Sequence, residues 1–193
     1  MLTISKPAPE WRVDSWLNTS QPLSLQSLRG RVIVLLSFQM LCPGCVAQAL
    51  PLAARVHATF PHDQVAMIGL HTVFEHHEAM TPVALRAFAH EYWLQFPIGV
   101  DRHEGTQPLP LTMQAYGMRG TPTWTLIDRD GRLRQQHFGE FDPLRLGAEI
   151  AALMLEPGAA ATRDTVGTGA VSCSDGTCAI PSSPNPDGAH AHA

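Results

Sequence analysis

The residues best suited to chemistry are two cysteines separated by two residues, in the segment Cys42-Pro43-Gly44-Cys45. The apolar, β-branched run over residues 31–38 predicts a buried strand before them, and the apolar spacing after Cys45 predicts a helix. Main-chain N–H groups at the start of a helix favour a thiolate, so this context suits Cys42 as a nucleophile. Cys45, one turn further on, is expected to be more buried and within bridging distance.

This arrangement predicts thiol–disulfide exchange. The Cys42 thiolate attacks a substrate disulfide, a mixed disulfide forms, and Cys45 resolves it by attacking Cys42. Pro43 and Gly44 set the turn and would lie against the substrate. The alternative, a structural or zinc-binding pair, is disfavoured because the domain holds no second C-x-x-C or Cys/His pair. We expect no cofactor.

A second motif, Gly120-Thr121-Pro122-Thr123, lies directly before a predicted strand over residues 124–127. A cis proline there would leave the main-chain groups of Thr121 free to pair with a substrate backbone, so Thr121 and Pro122 are candidate substrate-binding residues. A Thr-Pro pair taken alone is usually a trans turn, and the sequence leaves both forms open.

Polar residues at positions 71–78 follow the apolar strand predicted over residues 65–70. Because open α/β sheets place ligands at the carboxyl ends of their strands, His71 and Glu75 are candidate auxiliary residues near Cys45. The histidines and glutamates of this segment could also bind a divalent metal, but a solvated polar loop is the simpler interpretation. We therefore assign no metal ligand.

The chain carries two more cysteines near its end, Cys173 and Cys178, followed by His190 and His192. Three interpretations stay open. The pair could be a tethered dithiol that exchanges with Cys42, a soft site for zinc or copper, or incidental.

The elements around these residues alternate between strand and helix. Strands are predicted over residues 31–38, 65–70, 96–100, 124–127 and 133–138, and helices over residues 45–60, 82–93, 111–116 and 142–154. Pro51 predicts a kink rather than a stop, Thr81 an N-cap, and Asp130-Gly131 a hairpin turn. Crossover units imply parallel strands and the hairpin an antiparallel edge, so we predict an α/β fold with a mixed central sheet flanked by helices.

The chain of 193 residues suits one domain with a tail. We assign residues 1–155 to the domain and residues 156–193, which are poor in large apolar side chains, to a disordered tail. A net charge of −4 gives no basic excess, so neither nucleic acid nor a membrane surface is expected as a partner. The segment Met1–Pro9 lacks the pattern of a secretory signal, and we expect a cytoplasmic location.

Together these motifs resemble the redoxin group of the thioredoxin-like superfamily, which includes TlpA-like thiol–disulfide oxidoreductases and AhpC/TSA peroxiredoxins. The resemblance covers about residues 7–155 and rests on the segments 7–11, 25–31, 42–45, 120–122 and 128–131. It implies a thioredoxin-like three-layer sandwich, Cys42 as the attacking thiol, Cys45 as the resolving thiol and Pro122 as a cis proline beside them. The implied partners are protein or small-molecule disulfides and a thioredoxin-type reductant.

The chain departs from these families at several positions. Leu41 replaces the usual Trp before the first Cys, and Gln48 stands where many TlpA-like proteins have Glu, so Cys45 needs another base, for which His71 and Glu75 are candidates.

The peroxiredoxin signature places Thr or Ser three residues before the reactive Cys, a position that Gln39 occupies here, and Pro seven residues before it, where this chain has Leu35. Exchange is therefore preferred. A thiol peroxidase with antioxidant activity is the first alternative, and a metal carrier built on the tail cysteines and histidines is the second.

Overall fold

The fold is built on a mixed sheet. The computed structural model describes residues 5–105 and 107–157. The strands are β1 (Lys6–Pro7), β2 (Val13–Leu17), β3 (Val32–Phe38), β4 (Val65–His71), β5 (Ile98–Asp101), β6 (Thr123–Ile127) and β7 (Arg132–Phe138). The helices are α1 (Leu50–Thr59), α2 (Pro82–Glu91), α3 (Leu111–Ala115) and α4 (Pro143–Leu155), and a π-helical turn over Cys45–Ala49 leads into α1.

The spatial order of the strands is β1-β7-β6-β3-β4-β5-β2. The predicted parallel strands are confirmed, since β3 pairs in parallel with β4 and β4 with β5, while β6 runs antiparallel to β3. The carboxyl ends of β3 and β4 therefore meet the amino end of β6 at one edge, where Phe38 pairs with His71 and Ser37 with Thr123. Every segment predicted to carry chemistry within the described residues starts or ends at this edge.

The hairpin of β6 and β7 turns at Asp130-Gly131 as predicted, but its expected place at the sheet edge is wrong. β1 pairs with β7 on one side of the sheet and β2 with β5 on the other, so two unpredicted strands form the edges. β1 has only two residues, and β2 has no buried residue, so neither shows the apolar alternation by which a strand is recognised.

Helices cover both faces of the sheet, as three layers require. Even-numbered residues of β3 pack with side chains of α1, α2 and α4 in one cluster. Odd-numbered residues of β3 pack with Met113 of α3 and with Leu25 and Leu28 of the loop that precedes β3. Because β3 is buried on both faces and paired on both sides, the position at which it ends is tightly fixed.

The helix that follows Cys42 continues through Pro51, as predicted. Proline has no N–H to donate to the preceding turn and its ring crowds the carbonyl there. The chain accommodates it with the wider π-helical turn, in which the N–H of Leu50 donates to the carbonyl of Cys45. The predicted N-cap is also confirmed, since the Thr81 hydroxyl accepts the N–H of Ala84 at 3.2 Å.

Asp101, at the end of β5, joins three segments near the functional edge. Its buried carboxylate accepts the N–H groups of Thr112 and Met113, at 2.9 and 3.1 Å, and the hydroxyl of Thr72 at 2.9 Å. It therefore holds the start of α3 and the loop after β4 together. Burial raises the pKa of this carboxyl, although the hydrogen bonds oppose the increase.

Replacing Asp101 should destabilise the domain. In Asp101→Ala the N–H groups of Thr112 and Met113 lose their buried acceptor, so we expect the free energy of unfolding to fall by about 2 to 4 kcal/mol. Asp101→Asn keeps part of the acceptor and should cost less. Urea unfolding measures both, and an Asp101→Ala protein as stable as the wild type would contradict the assigned role.

The difference in stability between the wild type and Asp101→Asn should also depend on pH. The pKa of Asp101 is higher in the folded than in the unfolded state, so the native state holds this proton more tightly. The wild type should therefore lose stability relative to Asp101→Asn as the pH rises from the unfolded pKa through the folded pKa. Above that range the difference should stay constant. Urea unfolding at a series of pH values tests the direction.

Candidate redox site

The two cysteines lie where the sequence predicted. Cys42 precedes the first helical residues, Pro43 and Gly44, and its carbonyl accepts the N–H of Val46 at 3.1 Å. Cys42 is partly exposed and Cys45 is fully buried one turn further on. Both are free thiols, and the Cys42 sulfur accepts the main-chain N–H of Cys45 at 3.3 Å. A thiolate at Cys42 would therefore find a hydrogen-bond donor in place.

The chemical environments of the two sulfurs differ. Burial raises the pKa of Cys45 to about 12, and the adjacent Cys42 sulfur adds to the increase. A main-chain hydrogen bond from Gln39 and a side-chain hydrogen bond from Thr121 act in the opposite direction. Cys45 is thus a protonated, protected thiol while Cys42 faces solvent. The sequence had indicated burial of Cys45, but not these two opposing contacts.

The Thr121–Pro122 peptide bond is cis, which answers the question that the sequence left open. The thiol of Cys42 donates to the Thr121 carbonyl at 3.5 Å. Pro122 also approaches the turn between the cysteines, since a Cβ added to Gly44 would lie 3.6 Å from its Cδ. The four predicted substrate-contacting residues are therefore brought together around the two thiols.

Gln39 also belongs to the site, but its side chain is directed toward the loop after β4 and forms no described contact with Cys42. The side chain is buried, and its amide bonds to Phe74 and Glu75 in the loop after β4. Only its main chain meets the redox pair, with the carbonyl accepting the N–H of Cys42 at 3.3 Å.

The predicted polar cluster at 71–78 divides into two parts. His71 is the last residue of β4 and is fully buried, with its ring 5.4 Å from that of Phe38. Burial lowers the pKa of His71 to about 4, so the ring is neutral at pH 7, and neither ring nitrogen has a hydrogen-bond partner among the described residues. Glu75 is exposed and reaches the site through Gln39. Neither side chain forms a described contact with Cys45, so a role as its base stays a prediction.

The remaining sequence predictions concern metals and the tail. Within residues 5–105 and 107–157, no group of three or more His, Cys, Asp or Glu side chains is placed to hold a metal ion. Cys173 and Cys178 lie outside the described residues. No helix in the described part of the chain has the length and apolarity needed to span a bilayer.

A groove of about 140 Å³ opens beside the turn between the cysteines, which sequence reasoning did not anticipate. Its walls include Gly44, Gln48 and Leu52 on the active-site helix and Pro122 and Phe141 on the opposite side. Leu41, immediately before Cys42, is 57% exposed and adds an apolar surface next to Cys42 in the chain. These residues come from segments far apart in sequence, so no local pattern could have revealed the groove.

Comparison with known proteins identifies relatives of this chain. The AhpC/TSA family model matches residues 4–136. The chain is 25% identical over 139 residues to the thiol–disulfide oxidoreductase ResA of Bacillus thuringiensis, covering 72% of each protein. It is 30% identical over 138 residues to protein DipZ of Mycobacterium tuberculosis, covering 70% of this chain but 19% of DipZ, and thus spans about a fifth of that relative.

Solved structures give higher identities. A crystal structure of the thioredoxin-like superfamily protein SPOA0173 matches with 57% identity and a TM-score of 0.76, covering 78% of this chain and 97% of that one. A thiol–disulfide isomerase from Corynebacterium glutamicum matches with 45% identity and the same TM-score, again covering 78% and 97% of the two chains. These matches confirm the predicted thioredoxin-like fold.

The difference between the two thiols predicts selective alkylation. Because burial raises the pKa of Cys45 to about 12, this thiol is protonated at pH 7, and it is closed to solvent as well. Iodoacetamide should therefore modify Cys42 in the native, reduced protein and leave Cys45 unmodified, as peptide mass spectrometry would show. Unfolding in urea is the control, since both should then react. Equal native rates at the two sites would contradict the assignment.

Proposed function

The chain belongs to the AhpC/TSA family, and we propose that within it the chain is a thiol–disulfide oxidoreductase whose redox pair is Cys42 and Cys45. Relatives named thiol–disulfide oxidoreductase and thiol–disulfide isomerase support the enzyme class. One observation carries the assignment of the pair: a partly exposed sulfur accepts a hydrogen bond from the main chain of a buried second cysteine, one helical turn away.

The proposed reaction runs in two steps. The Cys42 thiolate attacks one sulfur of a substrate disulfide, forming a mixed disulfide and releasing the other substrate sulfur as a thiolate that takes up a proton. Cys45 then loses its proton and attacks the Cys42 sulfur, which forms the Cys42–Cys45 disulfide and releases the second substrate thiol. Two electrons pass to the substrate, and a dithiol reductant of the thioredoxin type must return them before the next cycle.

The contact between the two cysteines also delays the second step until the first is complete. Part of the increase in the pKa of Cys45 comes from the adjacent Cys42 sulfur, through a hydrogen bond and through charge. Once Cys42 is in a mixed disulfide it carries no negative charge, so this contribution falls and Cys45 becomes easier to deprotonate. Cys45 is thus held protonated in the resting protein and is activated when it is needed.

The surroundings of Cys42 favour a disulfide within an extended peptide as the substrate. The Thr121–Pro122 segment lies beside the sulfur and can present main-chain groups to a substrate backbone. The exposed side chain of Leu41 and the groove beside Gly44 offer apolar surface near the two cysteines. In a cytoplasmic setting, the expected one, the pair would act as a reductant of protein disulfides.

Peroxide reduction is a second candidate, because the resemblance seen in the sequence includes the AhpC/TSA peroxiredoxins and the AhpC/TSA family model matches this chain. It would need a side chain at position 39 that orients peroxide toward Cys42. Both polar ends of the Gln39 amide are instead committed to Phe74 and Glu75. This contact favours exchange over peroxidase activity.

Two cysteine variants test the proposed reaction. Cys42→Ser should reduce the dithiothreitol-driven reduction of insulin disulfides to the background of dithiothreitol alone, since the attacking sulfur is gone. Cys45→Ser should still attack but should accumulate a mixed disulfide, which non-reducing electrophoresis would detect. In a parallel assay with a thioredoxin recycling system, hydrogen peroxide consumption should be negligible for the wild type.

Cys173→Ser/Cys178→Ser provides a matched control, since it removes the other two thiols of the chain and keeps Cys42 and Cys45. Full insulin reduction by this variant is the expected result. Loss of activity in it, with Cys42→Ser still active, would contradict the assigned pair, whereas peroxide turnover that depends on Cys42 would favour the peroxidase.

A further inference from the structure

Gln39 occupies the turn between β3 and Cys42 with a side chain that is only 1% exposed. Its Oε1 accepts the main-chain N–H of Phe74 at 3.2 Å, and its Nε2 donates to the Glu75 carboxylate at 3.4 Å. A buried amide without partners would cost free energy, and both partners here lie on the loop after β4. The side chain therefore ties one loop of the site to the other.

The loop that receives this side chain is itself anchored. The Thr72 hydroxyl donates to the buried Asp101 carboxylate at 2.9 Å, and the His103 ring contacts the Val73 carbonyl at 2.6 Å. Phe74 and Glu75 follow directly. The Gln39 amide is thus bound to an anchored loop, and these bonds hold the main chain of Gln39 in position.

We propose that Gln39 is a positioning residue for the redox pair: its buried amide, bonded to Phe74 and Glu75, holds the Gln39 main chain in place against Cys42 and Cys45. Glu75 acts on the pair only through this amide. The inference deepens the proposed exchange function and rests on it.

The expected chemical effect falls on Cys45. The Gln39 carbonyl accepts the N–H of Cys42 at 3.3 Å, which places the Gln39 main chain at the start of the turn that carries both thiols. From there it opposes the increase in the pKa of Cys45, as Thr121 also does. If the Gln39 side chain lost its anchor, that main-chain contact would be less well aligned, and the second step of the reaction would slow. The first step should change little, since Gln39 meets Cys42 at its main-chain N–H, whereas the partners of the attacking sulfur are Cys45 and Thr121.

The two steps can be followed separately in the full chain carrying Cys173→Ser/Cys178→Ser. Dithiobis(nitrobenzoate) releases one coloured thiolate when Cys42 attacks it and a second when Cys45 resolves the mixed disulfide. In Gln39→Met, we expect the second release at neutral pH to slow roughly 3- to 10-fold and its pH midpoint to move to higher pH. The first release should stay within about twofold of the parent protein.

Glu75 provides the second variant, which matters if Gln39→Met fails to fold. Glu75 is exposed, so its truncation should leave folding intact. Glu75→Ala should shift the pH profile in the same direction but less, whereas Glu75→Gln, which keeps an acceptor oxygen, should restore the parent profile. Since both residues act through one contact, Gln39→Met/Glu75→Ala should be no slower than Gln39→Met alone.

Gln135 of β7, another buried glutamine, is the matched control. Gln135→Met should change stability without moving the pH profile of the second release, because Gln135 has no contact with the redox pair in the described structure.

Three outcomes would overturn the positioning role: an unchanged pH profile in both Gln39→Met and Glu75→Ala, equal slowing of both releases, or effects of the two substitutions that simply add. Failure of the exchange function looks different, since the parent protein itself would then show no second release.

Discussion

The site depends on the burial of β3. This strand is paired in parallel on one side and antiparallel on the other, and its side chains are buried on both faces of the sheet. A strand so enclosed cannot slip in register without exposing its apolar residues and disrupting two ladders. The turn that carries Gln39 and Cys42 therefore starts from a fixed point, and the loops after β4 and before β6 meet it at the same edge.

The chemistry follows from the different environments of two identical side chains, the thiols of Cys42 and Cys45. The start of the helix places one sulfur at the surface with an N–H directed toward it, and one turn later the same helix buries the other. Burial keeps Cys45 protonated, while contacts from Gln39 and Thr121 limit that effect. One nearby residue, Gln39, and one distant in sequence, Thr121, thus adjust the pKa of a fully buried thiol. This difference in burial separates the attacking thiol from the resolving thiol.

Much of this was predictable from local sequence. The apolar run of β3, the C-x-x-C turn, Thr81 as a cap and Asp130-Gly131 as a turn are signals carried by neighbouring residues, and each is confirmed. What depends on contacts between distant segments was not predictable: the edge strands β1 and β2, the groove beside Gly44, and the inward direction of the Gln39 amide. His71 shows the limit most clearly, since its polar neighbours predict an accessible loop, whereas pairing with Phe38 buries it at the end of β4.

The central claim is that Cys42 and Cys45 form one redox pair, in which Cys42 attacks the substrate disulfide and Cys45 resolves the mixed disulfide. Its most direct test is to treat the reduced full chain with one equivalent of a protein disulfide, block free thiols and map the disulfides by peptide mass spectrometry. The account predicts a Cys42–Cys45 disulfide with Cys173 and Cys178 still reduced. Cys42 left in a mixed disulfide with the substrate while Cys45 stays reduced, or a disulfide joining Cys42 to Cys173 or Cys178, would contradict it.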